Sequence, residues 1–382
     1  MAEQPPGRWA AVRKVARFVA IYGPGRTWFK AAARLRLPLA GWSLAPQRRD
    51  VGLIGCGQFA FATIGYFLQR HSGHRVLACH DVDAAASRSL ARALGAPHVA
   101  ESGERLLDTP GMKVVYVVSN HASHADYAVQ ALARGLDVHV EKPVAVSHEQ
   151  LVRLERARRT ATGRLVAGYN RPFSAAMREL GQRMRIDPAG GFSMQCFVAG
   201  HRLGPDHWYR RPEEGTRICG NVGHWLDLWI HLLAWRGLPD RHDIQLAWAD
   251  DRERDDNVCV SLASDRGDVA SILLSARAEP FEGINESIQV QHGETLAKID
   301  DFRRMTVWRG EAVHRFRYWP KDVGHGEALM QVFGAPTRDW SEVEVSTLLM
   351  LHIADMVRAG ERTSSFSTSA ARAALARAAG TT

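Results

Sequence analysis

Cysteine is scarce in this chain, and what there is lies scattered. The five residues Cys56, Cys79, Cys196, Cys219 and Cys259 form no Cys-x-x-Cys pair. That argues against a disulfide scaffold or a zinc site, and a reducing, cytoplasmic compartment is expected. No apolar run reaches the roughly 18 residues that a membrane span needs, so none is expected. The N-terminus lacks the basic, apolar and small-residue succession of a secretion signal. No internal repeat is present, and the only compositionally biased tract is an Ala-rich tail. Past residue 50 there is no excess of charge either. Residues 1–50 hold ten Lys/Arg against Glu3 and Asp50, while the rest carries 39 basic and 39 acidic side chains. The formal net charge of +8 therefore belongs to an N-terminal extension, and no nucleic-acid partner is expected for the body of the chain.

What is present is a regular alternation. Short, mostly β-branched runs at Val51–Ile54, Val76–Cys79, Val114–Val118, Val138–Val140 and Leu165–Ala167 are separated by amphipathic stretches of helical length. These read as βαβ units around a parallel sheet over residues 48–170. From residue 171 the pattern changes to strands joined by short turns, with helices at Ser174–Met184 and Gly223–Trp235. Such runs imply a large, mainly antiparallel open sheet, here over 171–340. Helices at Ser341–Ala359 and Ser369–Ala379 end the chain, and residues 341–382 are expected to return toward the first domain. The expected fold is α/β: a Rossmann-type doubly wound parallel sheet followed by an α/β domain.

Two local patterns carry chemistry. The first strand runs into Gly55-Cys56-Gly57-Gln58-Phe59-Ala60 at the start of a helix. Gly55 permits a tight turn, Gly57 lets backbone approach a pyrophosphate, and Ala60 lets helix and strand pack closely. The phosphates would rest on the helix N-terminus, where free N–H groups and the helix dipole favour anions. Asp81 at the end of the second strand is placed for the adenosine ribose hydroxyls. A carboxylate there repels a 2′-phosphate, so NAD is expected and NADP is disfavoured. Asp83 is read as the cap of the next helix. The second pattern is Glu141-Lys142-Pro143 at a strand C-terminus, which in a doubly wound sheet faces the ligand crevice. Elsewhere such a tripeptide would be an ordinary surface ion pair.

These residues, with Tyr169-Asn170-Arg171-Pro172-Phe173 and Gly223-His224-Trp225-Leu226-Asp227, resemble the glucose–fructose oxidoreductase / inositol dehydrogenase / MocA-like (Gfo/Idh/MocA) family. The resemblance spans roughly residues 49–360. It implies hydride transfer between a nicotinamide and a hydroxyl-bearing carbon of a sugar derivative, nucleotide-linked sugars included. It also implies a cis Lys142–Pro143 bond, and assembly of like subunits through the open sheet. Lys142 matches the family's catalytic lysine, His224 its acid/base histidine, and Asp227 a helix-borne partner of that histidine. Ser119, Asn120 and His124 match the loop beside the nicotinamide, with Ser119-Asn120 in place of the usual Thr-Pro. Asn170, Arg171, His207, Trp208 and Asn221 are the candidate substrate contacts.

One departure stands out. Many members carry an Asp four residues before the histidine; this chain has Gly220 there, followed by Asn221. The alternatives are a non-catalytic sensor of NAD and a sugar ligand, or a redox-neutral epimerase or glycosidase. His224, Asp227 and His231 share a helix face, but without a ligand from another element no metal is expected. Cys219 is read as a small buried residue rather than a nucleophile. The extension, residues 1–47, reads as two basic helices, Arg8–Ile21 and Thr27–Leu37, broken by Gly23-Pro24-Gly25. Its basic and apolar faces suit either an anionic membrane surface, a partner, or an arm packed on the protein itself.

Overall fold

The computed structural model describes residues 8–37, 48–278 and 283–380. The extension forms two helical stretches, labelled together α1 (Arg8–Leu35), which are broken as expected at Gly23, whose φ of 77° and ψ of 163° are non-helical. The first sheet is built from β1 (Val51–Ile54), β2 (Val76–His80), β3 (His98–Val99), β4 (Val114–Val117), β5 (Asp137–Val140) and β6 (Leu165–Ala167). All its neighbours pair in parallel, in the order β3-β2-β1-β4-β5-β6. That order reverses direction between β1 and β4, so their C-terminal ends open a crevice. Interleaved are α2 (Tyr66–Ser72), α3 (Ala84–Leu94), α4 (Gly103–Leu107), α5 (His124–Ala133) and α6 (His148–Thr160). A π-helical turn, Ala60–Gly65, leads directly into α2.

After α7 (Ala175–Arg183) a nine-stranded sheet begins with β7 (Phe192–Ala199), and α8 (Gly223–Ala234) follows. The sheet continues through β8 (Arg241–Trp248), β9 (Asn257–Ser264), β10 (Val269–Ser275), β11 (Asn285–His292), β12 (Thr295–Asp300), β13 (Arg304–Arg309) and β14 (Ala312–Arg317). Helices α9 (His325–Met330) and α10 (Trp340–Ala359), strand β15 (Thr363–Ser367) and α11 (Thr368–Ala378) complete the chain. The strand order is β14-β13-β12-β11-β7-β10-β9-β8-β15, antiparallel except between β7 and β10. Alternating burial along β7 and β8 gives this sheet one helix-covered face and one outward face. Helix α8 is apolar almost all round because it lies between that sheet and α10, with Trp225 and Trp229 fully buried.

Three strands have no counterpart in the sequence pattern, for identifiable reasons. Strand β3 is two residues long, and β14 is an edge strand with largely exposed side chains and no alternation to read. Strand β15 follows α10 and pairs with β8 by hydrogen bonds alone evident in three dimensions. Segment 325–333 turns back to the first sheet, where Leu329 and Val332 join its core and the Tyr116 hydroxyl donates to the Leu329 carbonyl at 2.6 Å.

The arm packs on the protein's own body. Phe18, Ile21, Ala32 and Ala33 are buried, whereas Val12 and Val15 of the expected apolar face point outward. The Gln58 amide donates to the Ala33 carbonyl (3.1 Å), and the Trp319 indole donates to the Ala20 carbonyl (3.0 Å). Among the described residues no helix is long and apolar enough to cross a membrane. Burying Phe18 and Ile21 contributes about 3–5 kcal/mol in all. Deleting residues 1–37 is therefore expected to lower the melting temperature by several degrees in scanning calorimetry; an unchanged melting point would show that the arm adds nothing to stability.

Candidate active site

Four chain segments converge on the crevice at the C-terminal ends of β1, β4 and β5. The first is the turn after β1. Gly55 has φ of 94°, and a Cβ there would lie 2.4 Å from the Val118 carbonyl oxygen, so only glycine fits. At Gly57 a Cβ would meet nothing within 4 Å, leaving its backbone open in front, while Ala60 is fully buried. Gln58 and Phe59 sit exposed at the mouth. The Asp81 carboxylate accepts from the Cys56 amide at 2.6 Å and the Asp83 amide at 2.9 Å, so it also holds the glycine turn in shape. Asp83 caps α3 through the Ala85 amide at 2.8 Å, as expected of it. This open, amide-rich turn beside a carboxylate fits a dinucleotide.

The second segment is the loop after β4. Ser119 and Asn120 are joined through the Ser123 hydroxyl, and the Asn120 amide donates to Glu214 at 2.7 Å. Both ring nitrogens of His124 are occupied, by the carbonyls of Pro143 (2.8 Å) and Ser119 (3.0 Å). His124 is thus a brace between two loops. Burial lowers its pKa, against the pull of the two carbonyls.

The third segment follows β5. Glu141 is buried against Gly168, paired with His139 at 3.3 Å, and accepts from the Lys142 amide at 3.3 Å. The Lys142–Pro143 bond is cis, as the resemblance implied. The half-buried Lys142 ammonium donates to the Gly220 carbonyl at 2.9 Å. A Cβ on Gly220 would lie 2.6 Å from the Tyr209 ring and 2.8 Å from His121. The space that a side chain at Gly220 would take is therefore filled from outside by two aromatic side chains.

Helix α8 supplies the fourth group. His224 is half-buried, and its Nδ1 is fully buried without a hydrogen-bond partner. Burial, then the positive charges of Arg171 and Lys142, push its pKa well below the ordinary imidazole range. The imidazole is neutral at pH 7. Asp227, one turn on, does not reach it: its carboxylate takes Arg338 at 2.7 Å and Ser346 at 3.0 Å. The expected His–Asp pair is corrected accordingly, because that face of α8 looks toward α10. His231 likewise turns to Glu342 at 2.9 Å.

The expected substrate contacts divide. Trp208 packs against His121 (ring centroids 4.7 Å), and Tyr209 donates its amide to His207, so this loop roofs the Lys142–Gly220 contact. Asn221 is buried and accepts from Arg217 at 3.2 Å, and Asn170 donates to the Val323 carbonyl at 2.5 Å. Arg171 forms a two-pronged pair with Glu286 (2.7 and 3.0 Å) and stacks on Trp225, whose indole donates to the same carboxylate at 2.7 Å. Its charge reaches His224, but its hydrogen bonds are spent internally. His121 and His325 were not singled out by sequence. Burial holds both pKa values well below normal, and their separation along the chain left no spacing that could link them to His224. Cys219 is buried with its thiol pushed up to about 12, as suits an inert core residue. Among the described residues the one convergent group of metal-ligand side chains is Glu253, Asp255 and Asp256, which engage Arg210 and Arg217.

Residues 49–169 match the model of the Gfo/Idh/MocA oxidoreductase family, described as an NAD-binding Rossmann fold. The chain is 33% identical to inositol 2-dehydrogenase of Ralstonia nicotianae over 136 residues, 35% of this chain and 40% of that enzyme. It is 24% identical over 237 residues to the 1-carboxy-3-chloro-3,4-dihydroxycyclohexa-1,5-diene dehydrogenase of Comamonas testosteroni, 60% of this chain and 58% of that one. The chain thus spans about two fifths of the inositol 2-dehydrogenase it matches. The fold likeness is wider. GenD2 from gentamicin A biosynthesis, in complex with NAD, superposes with a TM-score of 0.70 at 18% identity, over 86% of this chain and 99% of that one. Levoglucosan dehydrogenase with NADH and L-sorbose gives 0.68 at 14% identity, over 84% and 99%. These likenesses show that the fold is shared over most of the chain.

Two outcomes are expected. Asp81→Ala should weaken NAD binding and narrow the NAD-over-NADP preference, read by equilibrium titration with both cofactors; tighter NADP binding by the unaltered protein would contradict the assignment. Glu286→Leu should leave the Arg171 guanidinium buried and unpaired and destabilise the protein by about 3–5 kcal/mol in denaturant unfolding. A loss below about 1 kcal/mol would show the pair to be dispensable.

Proposed function

We propose that this chain is an NAD-dependent dehydrogenase or reductase acting on a hydroxyl-bearing carbon of a sugar derivative, with Lys142 and His224 as the acid/base pair. The observation that carries the reading is the unpartnered, buried Nδ1 of a neutral His224, on an imidazole that feels the charge of Lys142. A buried polar atom without a partner is costly unless the site supplies one in use. Bound NAD would contribute the hydride acceptor for alcohol oxidation, or as NADH the donor for the reverse. The Gly55–Ala60 turn and Asp81 would hold it, and Ser119 and Asn120 would border it.

The chain's own residues then handle the proton. Alcohol oxidation requires the hydroxyl proton to leave, and a neutral imidazole kept from protonating by burial is a competent base for it. The Lys142 ammonium, directed by the Gly220 carbonyl, stabilises negative charge developing on the substrate oxygen. Trp208 and Tyr209 packed on His121 would cover that oxygen from one side. The sugar-like substrate class is supported by the names of the relatives, inositol 2-dehydrogenase and levoglucosan dehydrogenase. Assembly of like subunits is supported by the outward face of the nine-stranded sheet, where Phe197, Val269, Leu273 and Leu296 are exposed.

His224→Ala and Lys142→Met should each leave NAD affinity within about threefold and cut turnover by roughly a hundredfold or more. Because the His224 pKa is lowered, its basic form persists below pH 6.5, so the acid limb of turnover should fall below that value. Unchanged turnover in the His224 variant, measured on polyol and sugar substrates that the unaltered enzyme uses, would reassign it to packing.

A further inference from the structure

A cavity of about 380 Å³ lies between α1 and the turn that opens the cofactor helix, lined by Phe18, Tyr22, Arg26, Lys30, Phe59 and His201 among others. Two of those residues are cations whose surroundings are aromatic. The Lys30 ammonium sits 4.2 Å from the centre of the Phe18 ring, and the Arg26 guanidinium lies over Tyr22 and Phe67 at 5.2 and 5.3 Å. Among the described residues neither forms an ion pair with a carboxylate. Ring faces attract cations but do not neutralise them, so two half-buried positive charges stand side by side, with Asp322 acting on Arg26 only from beyond ion-pair distance. Burial and the repulsion of Arg34, Arg26 and Lys14 push the Lys30 pKa down to about 8, which an anion at this spot would reverse.

The cavity adjoins the proposed reaction centre. Phe59 lines it and also packs against His325 at 5.6 Å between ring centres. The charges of Arg26 and Lys142 both act on His325. A ligand whose reacting carbon lay by Lys142 and His224 could extend past Phe59 into this space. Two cations with no directly paired carboxylate suit a dianion better than a single negative charge, and the planar guanidinium matches phosphate oxygens in pairs. The rings of Phe18, Tyr22 and Phe59 offer apolar walls beside it.

We propose that Arg26 and Lys30 of the N-terminal arm form an anion pocket for the phosphate group of the substrate, which is a phosphorylated or diphosphate-linked sugar. This deepens the dehydrogenase reading above and rests on it for the identity of the sugar. It also gives the extension a task that residues 49–169, the family-matched part, do not perform.

Calorimetric titration of the full-length protein, saturated with NAD, with inorganic pyrophosphate as the probe tests the pocket. One site is expected, weakened at least tenfold in Arg26→Met/Lys30→Met and largely retained in Lys30→Arg. Should the double variant melt early, Lys30→Gln alone carries the same expectation at threefold or more. Equal affinity in unaltered and variant proteins would overturn the proposal, as would no binding at millimolar probe. So would displacement of NAD by pyrophosphate, since the cations would then face the cofactor's own phosphates. Uptake of pyrophosphate through Arg26 and Lys30 by a protein that binds no NAD would support the pocket and overturn the dehydrogenase reading instead.

Discussion

The buried pair between Arg171 and Glu286 is the constraint on which the arrangement of this molecule turns. Arg171 follows the last strand of the parallel sheet, and Glu286 belongs to β11 of the open sheet. The Trp225 indole donates to the same carboxylate, so the helix carrying His224 is fixed at the same point. Burying two charges is expensive, and the cost is offset only where each is fully hydrogen-bonded, as here. One interaction therefore sets the distance between the two sheets and the pose of α8. It also supplies part of the positive field that keeps His224 neutral.

Around that joint, side chains that resemble ligand contacts serve as braces. His124 ties the loop after β4 to the loop after β5, and Glu214 reaches from the second sheet's side to clamp Asn120 and the Ala122 amide. Asp227 holds Arg338 and Ser346, which fastens α8 to α10. In the proposed reading, the chemistry is left to few groups, Lys142 and His224. Such economy is physically sensible, because a group free to meet a substrate must be held by neighbours that are not.

The N-terminal arm joins this scheme from outside the matched domain. Its Arg36 donates to the Cys56 carbonyl at 3.0 Å, and Gln58 donates back to the arm. The glycine turn is thus held from three sides, by Asp81, by Arg36 and by the packing of α1. The basic excess of the first fifty residues is turned in part toward the crevice rather than wholly to solvent.

The parallel sheet, its glycine turn and Asp81, and the open sheet's long strands were all legible in the chain. Each rests on local periodicity or on a backbone demand that one residue type meets, as Gly55 meets φ of 94°. The turn's fitness for a dinucleotide followed from residues adjacent in sequence, and the cis bond before Pro143 from the family resemblance. What required the tertiary structure was the spending of polar groups. Nothing near Asp227 in sequence announces Arg338 as its partner, and nothing near Gly220 announces that Tyr209 and His121 occupy its missing side chain. His121, His325 and Glu214 meet the site from elements far apart along the chain. The arm's packed face also came out of register with its apparent apolar face, because the kink at Gly23 and the surface it meets decide which side is buried. Sequence determines local conformation and which groups can do chemistry; long-range packing decides which of those groups remain free to do it.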